Sequence, residues 1–378
     1  MEIMNYSKVS NQMIDELTII IPTHNRQHVL QRAIDYFNSA GLLTIIVDSS
    51  LVPLTVNLPK KIKYFHKPNT LFAEKIYSTL QEVKTPYSCI CADDDFLIKS
   101  SLFSGLEFLK KNSDYASVQG NFIQFSSKDT NSHYHPTQEK YIRHNNNSDS
   151  IESRITKGFM VPQIFALHCT SNLLKSFGIV SDLKASTIIE LIVILVALCR
   201  GKHRVLPIFW MARDLERYSS YNGYRDAHKF AHKVEKTPPL DKSILVINDM
   251  PAYLNSSEGK KFKNNFIKAF KGGDYCLYER YFDLAFDDFC NRNRIILKRI
   301  EANNLGPIRK IKNVIRPVLP RALFLLYARI SLYFRIRDSK IMCIKYTNEE
   351  GYPWSDNLSI SEWASVKKVI LKYPQLFE

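Results

Sequence analysis

From Leu17 to Arg213, short β-rich runs alternate with amphipathic helical segments, and that order restricts the fold more than any other feature of the chain. The run LTIII (17–21) reads as a buried strand. RQHVLQRAIDYFN (26–38) follows it with Val29, Leu30, Ala33, Ile34 and Phe37 at helical spacing. LLTIIVD (42–48), KIKYFHK (61–67) and YSCICA (87–92) read as further strands, with AEKIYSTLQEV (73–83) and LFSGLEFLKK (102–111) as helices. A helix over 183–199 and a strand over 204–213 complete the series. Strands joined through helices pair most readily in parallel, so the expected fold is α/β, a mainly parallel Rossmann-like sheet flanked by helices. Such sheets bind ligands at the carboxyl ends of their strands. Pro22-Thr23-His24-Asn25-Arg26, Asp48 and Asp93-Asp94-Asp95 all fall there.

At 378 residues, two domains are expected, and 45% hydrophobic content supports a real core. The α/β pattern gives a first domain over 16–235. The polar stretch around 233–243 is a boundary, and 241–378 reads as a mostly helical C-terminal region. Residues 1–240 hold 28 basic and 22 acidic side chains, whereas 241–378 hold 24 and 15. The net charge of +15 points to an anionic partner: nucleic acid, a membrane surface or a phosphorylated small molecule. The excess is densest in 308–340, where nine Lys and Arg face only Asp338 among Leu, Phe, Tyr and Ile. A basic, aromatic-rich amphipathic segment of that kind suits an anionic bilayer surface. The N-terminus has no apolar signal region, and the most hydrophobic run, 186–199, is too short to span a bilayer and carries Glu190. Seven cysteines without a CxxC pair fit a reducing, cytoplasmic setting. His228 and His232 stand four apart, but with no third ligand nearby they read as surface residues. Residues 126–150 are polar and aperiodic, a loop.

Three adjacent carboxylates repel one another and are best tolerated where solvent or a cation shares the site. A strand ending in aspartates can hold Mg²⁺ or Mn²⁺ through one or two contacts, with substrate phosphates and water completing the shell. Such an ion would neutralise a departing diphosphate. The reaction class implied is transfer from a nucleotide-diphosphate donor.

LTIIIPTHNR, then IIVDSS, then TPYSCICADDDFLIK resembles the N-terminal half of bacterial family 2-type glycosyltransferases with the GT-A fold, over roughly residues 16–215. The resemblance implies a metal-dependent, inverting transfer of sugar from a nucleotide-sugar donor to a glycan or lipid-linked acceptor. It places the enzyme in the cytoplasm, peripheral at the inner face of the membrane, in surface polysaccharide assembly such as capsule or lipopolysaccharide. Pro22, Thr23, His24 and Arg26 would then line the nucleotide, with His24 stacking on the base, and Asp48 would bond a base N–H. Lys75 would lie near the diphosphate. Asp93 and Asp94 would contact the ribose and metal side, and Asp95 would be the principal metal ligand of this DXD-like motif, with Asp93 beside it. The catalytic base would be a carboxylate from a later helix: Glu190, with Asp182 as runner-up. Arg213, ending the last strand, would clamp a phosphate. The family's frequent Glu-Asp pair and its QxxRW-type segment are both missing, the latter arguing against a processive synthase.

Plainer readings exist for each residue. The aspartates could open a helix, Asp48 could be turn chemistry, Lys75 a solvated cation and Glu190 a buried ion-pair partner. A nucleotidyltransferase would also use strand-end carboxylates, but IPTHNRQ lacks the glycine-rich loop expected after its first strand. A nucleic-acid-binding protein fits the basic charge, yet no zinc-finger spacing or RNP-like run is present, so no nucleic-acid partner is expected.

Overall fold

The computed structural model describes residues 15–125, 135–136, 147–158, 163–183, 186–214, 250–270, 275–304 and 357–372. Most of the 126–150 loop, the boundary at 233–243, His228, His232 and the basic segment 308–340 lie outside the described residues.

In chain order the elements are β1 (Leu17–Thr23), α1 (Gln27–Ala40), β2 (Thr44–Asp48), β3 (Ile62–His66), α2 (Phe72–Leu80), β4 (Tyr87–Ile90), β5 (Phe96–Leu97) and α3 (Lys99–Lys111). There follow β6 (Tyr115–Phe125), β7 (His135–Pro136), α4 (Ile151–Gly158), β8 (Leu167–Cys169), α5 (Thr170–Val180), α6 (Ser186–Arg200) and β9 (Lys202–Asp214). The C-terminal region contributes α7 (Met250–Asn255), α8 (Ser257–Ala269), α9 (Tyr275–Asn304) and α10 (Asn357–Lys372). The strands form one mixed sheet in the order β3-β2-β1-β4-β8-β6-β9-β5, with β7 paired to β6. The α/β expectation holds, with a parallel block β3-β2-β1-β4 and a parallel β6–β9 pair. Short β8 runs antiparallel to both β4 and β6 and joins the two parts.

Alternation along β1 sends its side chains into two layers. Ile19 and Ile21 enter a core with α1 and α3, while Ile20 enters a second core with α2, α5 and α6. α1 stops at Gly41, whose φ of 68° is left-handed and whose N–H returns to the carbonyls of Phe37 and Asn38. The helical C-terminal region is docked on the second core: Phe262, Phe266, Phe282 and Phe286 of α8 and α9 are buried together with Ile188, Ile192 and Leu195 of α6. α10 returns to the other layer. Val366 is buried in it, and Glu362 accepts hydrogen bonds from the N–H (2.9 Å) and hydroxyl (2.6 Å) of Ser100 in the first turn of α3.

The register levels the strand ends. Thr23 pairs with Asp48, which pairs with His66, and Ile20 pairs with Ile90, so three residues further on Asp93 stands beside Thr23. Lower in the sheet a polar row crosses four strands in register: Ser88 on β4, His168 on β8, Ser117 on β6 and His203 on β9, all buried. Burial pushes His168 down to about 4 and His203 down to about 3, so both are neutral imidazoles. A folded-state pKa depressed below the unfolded 6.5 makes the unfolded chain bind more protons, so stability is retained above about pH 6.5 and lost as pH falls toward 4. The two histidines should therefore contribute roughly 2 kcal/mol each to the stability gained between pH 5 and pH 7, read by urea unfolding as the difference from a variant lacking them, since Asp95 contributes with the opposite sign. A His168→Gln/His203→Gln variant should lose most of that slope.

Candidate active site

The turn after β1 is shaped by Asn25, whose φ of 53° is left-handed and whose N–H meets the Ser50 hydroxyl at 2.7 Å. Asp48 is fully buried. One of its oxygens accepts from the Ser50 N–H (2.8 Å) and hydroxyl (2.5 Å), and the other from the Tyr64 hydroxyl at 2.9 Å. Asp48 thus sets the VDSS turn, with both hydroxyl protons turned onto its carboxylate. Half-buried His24 holds Ser49 through Nδ1 at 2.9 Å, beside the half-buried Pro22.

Lys75 is not a solvated helix cation. It is 2% exposed, and its ammonium donates to the Thr23 carbonyl (2.7 Å) and the Ser49 hydroxyl (2.9 Å), joining the ends of β1 and β2 from beneath.

The aspartate trio faces the PTHNR turn. The Thr23 hydroxyl donates to Asp93 at 2.7 Å, and Arg26 spans two of the carboxylates, to Asp93 at 2.8 Å and to Asp94. Asp95 accepts from the Asp214 N–H at 3.0 Å and from Arg213 Nε at 3.4 Å. Antiparallel pairing of β5 with β9 causes this, by laying Phe96 against Ala212. Behind the trio, Arg32 of α1 reaches Asp214 at 3.1 Å in an ion pair with no exposure on either side chain. Burial raises the carboxyl of Asp93, opposed by Arg26, and raises that of Asp95 to about 7, opposed by Arg213.

Arg213 links the trio to the proposed base. Its guanidinium lies 4.8 Å from the Phe165 ring and 6.0 Å from that of Phe122, and its charge lowers the carboxyl of Glu190. The larger effect on Glu190 is burial, which raises it. Yet the Glu190 side chain keeps solvent-exposed area. Asp182, exposed like Glu190, is paired with Lys261 of α8, and no described contact joins it to the trio. The structure brings together Thr23, Arg26, Lys75, Asp93, Asp94, Asp95, Arg213 and Glu190, and leaves Asp182 aside.

No group of three or more metal-capable side chains encloses a metal ion among the described residues. The donor chemistry still suits an ion delivered on a diphosphate. Asp94 is 14% exposed with only one oxygen bonded, and a hard divalent ion carried by phosphates needs only one or two protein carboxylates. Arg32, Asp214, Ser50, Tyr64 and Phe165 were not singled out by sequence. Asp214 adjoins Arg213 and was within reach, but nothing local marks Phe165, which comes from a segment far from Arg213 in the chain.

The strand-end site lies largely within the part of the chain that matches a known family. Residues 18–169, about two fifths of the chain, match the family model described as Glycosyl transferase family 2. No curated protein matches the chain. Among solved structures, S. aureus TarS 1–349 is similar over 73% of this chain and 89% of its own, at 12% identity and a TM-score of 0.42. A longer S. aureus TarS structure is similar over 73% of this chain and 54% of its own, at 11% identity and a TM-score of 0.41. TarS 1–349 in complex with UDP-GlcNAc gives 73%, 89%, 10% and 0.40 in the same measures.

The Arg32–Asp214 pair supports the Asp95 corner, and removing one partner leaves a buried charge uncompensated. Arg32→Leu should cost about 3–5 kcal/mol in urea unfolding. Arg32→Leu/Asp214→Leu should recover most of it, and a single-variant loss under about 1 kcal/mol would show that the pair is not holding this corner.

Proposed function

We propose that the enzyme moves a sugar from a nucleotide-diphosphate sugar to a hydroxyl of a glycan or lipid-linked acceptor, with inversion at the anomeric carbon. The observation that carries this reading is the meeting of level strand ends: Thr23 and Arg26 bonded to Asp93 and Asp94 in one hollow with Asp95 and Arg213. Pro22 and His24 line the base. Ser50 and Tyr64, held by Asp48, present hydroxyls to its edge. Lys75 fixes the two turns that form this floor. Arg26 and Arg213 are the cations from which phosphate oxygens can draw charge-assisted bonds. Asp95, with Asp93 and the more open Asp94, would hold Mg²⁺ or Mn²⁺, which as a Lewis acid neutralises the diphosphate.

Glu190 accepts the acceptor hydroxyl proton as that oxygen bonds the anomeric carbon and the bond from that carbon to the diphosphate oxygen breaks. Arg213, between Asp95 and Glu190, offsets charge on the leaving group. The basic segment 308–340 is proposed to rest on anionic lipid at the inner face of the membrane, which would place lipid-linked acceptors of surface polysaccharide assembly within reach. No described helix is long and apolar enough to cross a membrane.

Glu190→Gln should lower kcat by roughly 10²–10⁴-fold while donor affinity stays within about twofold. Because burial raises the Glu190 carboxyl, wild-type kcat should fall with decreasing pH through a limb above the ordinary carboxylate range, and the variant should lose that limb. Full activity in Glu190→Gln would remove the base assignment. Separately, a thermal-shift screen of nucleotide sugars with and without Mn²⁺ should show one donor that raises the unfolding temperature, by about 2.7 kcal/mol of linkage at one hundred times its Kd. Asp95→Ala should abolish the Mn²⁺-dependent part of that shift, and its persistence would remove the metal role.

A further inference from the structure

β6 buries a second feature that the transfer chemistry does not use. Ser117, Gln119 and Asn121 follow one another at every second position and so share one face of the strand. Val118 and Phe122 point to the opposite face and are buried in the core with α1 and α3. The polar face lies toward α6, whose side chains Ile188 through Leu198 are apolar apart from Glu190. Gln119, Gln163 and His203 have 0% exposure and Asn121 has 4%. Ser117 ties the group together, with its hydroxyl 2.8 Å from His203 Nδ1 and 3.4 Å from Gln163 Oε1.

Six polar atoms of this group have no protein partner: Nε2 and Oε1 of Gln119, Nδ2 and Oδ1 of Asn121, Nε2 of Gln163 and Nε2 of His203. The imidazole cannot resolve this by changing tautomer. Ser117 has one proton, so His203 Nε2 is left as either an unmet acceptor or an unmet donor. Buried amides are almost always hydrogen-bonded, because the alternative is the full cost of stripping them of water.

We propose that this face holds a chain of two or more ordered water molecules running along β6 from His203 to Asn121. The ligand must be neutral, since the lining is Ser, Gln, Asn and uncharged His with no charge to compensate an ion. It must donate and accept, since both amide oxygens and amide nitrogens are open. It must be small, since three of the four side chains have no exposed surface. The spacing fits. Same-face residues on a strand are about 6.6–6.8 Å apart, and one water making two hydrogen bonds spans about 5.6 Å. Asn121 is the member with residual exposure, and it lies three residues before Gln124, the register partner of Arg213. The water chain therefore opens toward the floor of the cleft, about 10 Å beneath Arg213.

The test needs no variant to begin with. A crystal structure of the full chain at high resolution should show waters within hydrogen-bond distance of Gln119, Asn121, Gln163 and His203. A dry contact, or density for any other molecule, would overturn the assignment. Oxygen-17 relaxation dispersion on the wild-type protein should likewise detect long-lived internal waters, and none would count against it. Thermal unfolding of Gln119→Leu and Asn121→Leu gives an independent sign. If the amides are hydrated, each substitution strands a water and lowers the midpoint by several degrees. If they are dry, the apolar side chain relieves an unmet amide and the midpoint rises, which refutes the proposal.

Discussion

Three neighbouring carboxylates stay together in this fold because two guanidinium groups reach them from opposite sides. Arg26 comes from the turn after β1 and Arg213 from the end of β9, with the three strands β4, β8 and β6 between them in the sheet. The Coulomb cost of the trio is thereby turned into a tie between its two halves. The Asp214 N–H and the Thr23 hydroxyl supply the remaining bonds, and Arg32 anchors Asp214 from behind. Burial raises the carboxyls of Asp93 and Asp95 while Arg26 and Arg213 lower them, so the two guanidinium groups offset part of the cost of keeping the trio together.

Much of this was legible in the sequence because it depends on local periodicity. Each helix and strand anticipated between Leu17 and Asp48 formed within a few residues of its expected bounds, as Ile19, Ile21, Leu30 and Phe37 all needed burial at once. The clustering of PTHNR with the aspartates could be inferred because parallel strands place their carboxyl ends on one edge. What stayed hidden depends on pairing between distant segments. β6 was not anticipated, since its polar positions Ser117, Gln119 and Asn121 interrupt an apolar run and imitate a loop. Antiparallel β8 is three residues long, too short to carry a period. Phe165 stacks on Arg213 only because β4, β6 and β8 fold together around it. Lys75 could be placed near the site but not oriented, because nothing local distinguishes an ammonium reaching under a sheet from one reaching into water.

The C-terminal helices change what α6 can be. A helix with so few polar residues would expose an apolar face if only the sheet covered it. Phe262, Phe266, Phe282 and Phe286 share its core, and their edge-on and tilted contacts at ring separations of 4.5–5.8 Å form a continuous aromatic layer. Glu190 is thus carried on a helix whose other side chains are packed in the apolar core, within reach of the Arg213 charge.

The bond between Glu362 and Ser100 spans 262 positions of chain. Ser100 belongs to the helix that begins directly after the aspartates, and its first turn has no partner of its own for that N–H until Glu362 arrives. During synthesis the α/β part emerges from the ribosome long before residue 362 does. The nascent domain must therefore wait with an open helix end beside its acidic turn, and the geometry there matures only as the last segment folds back.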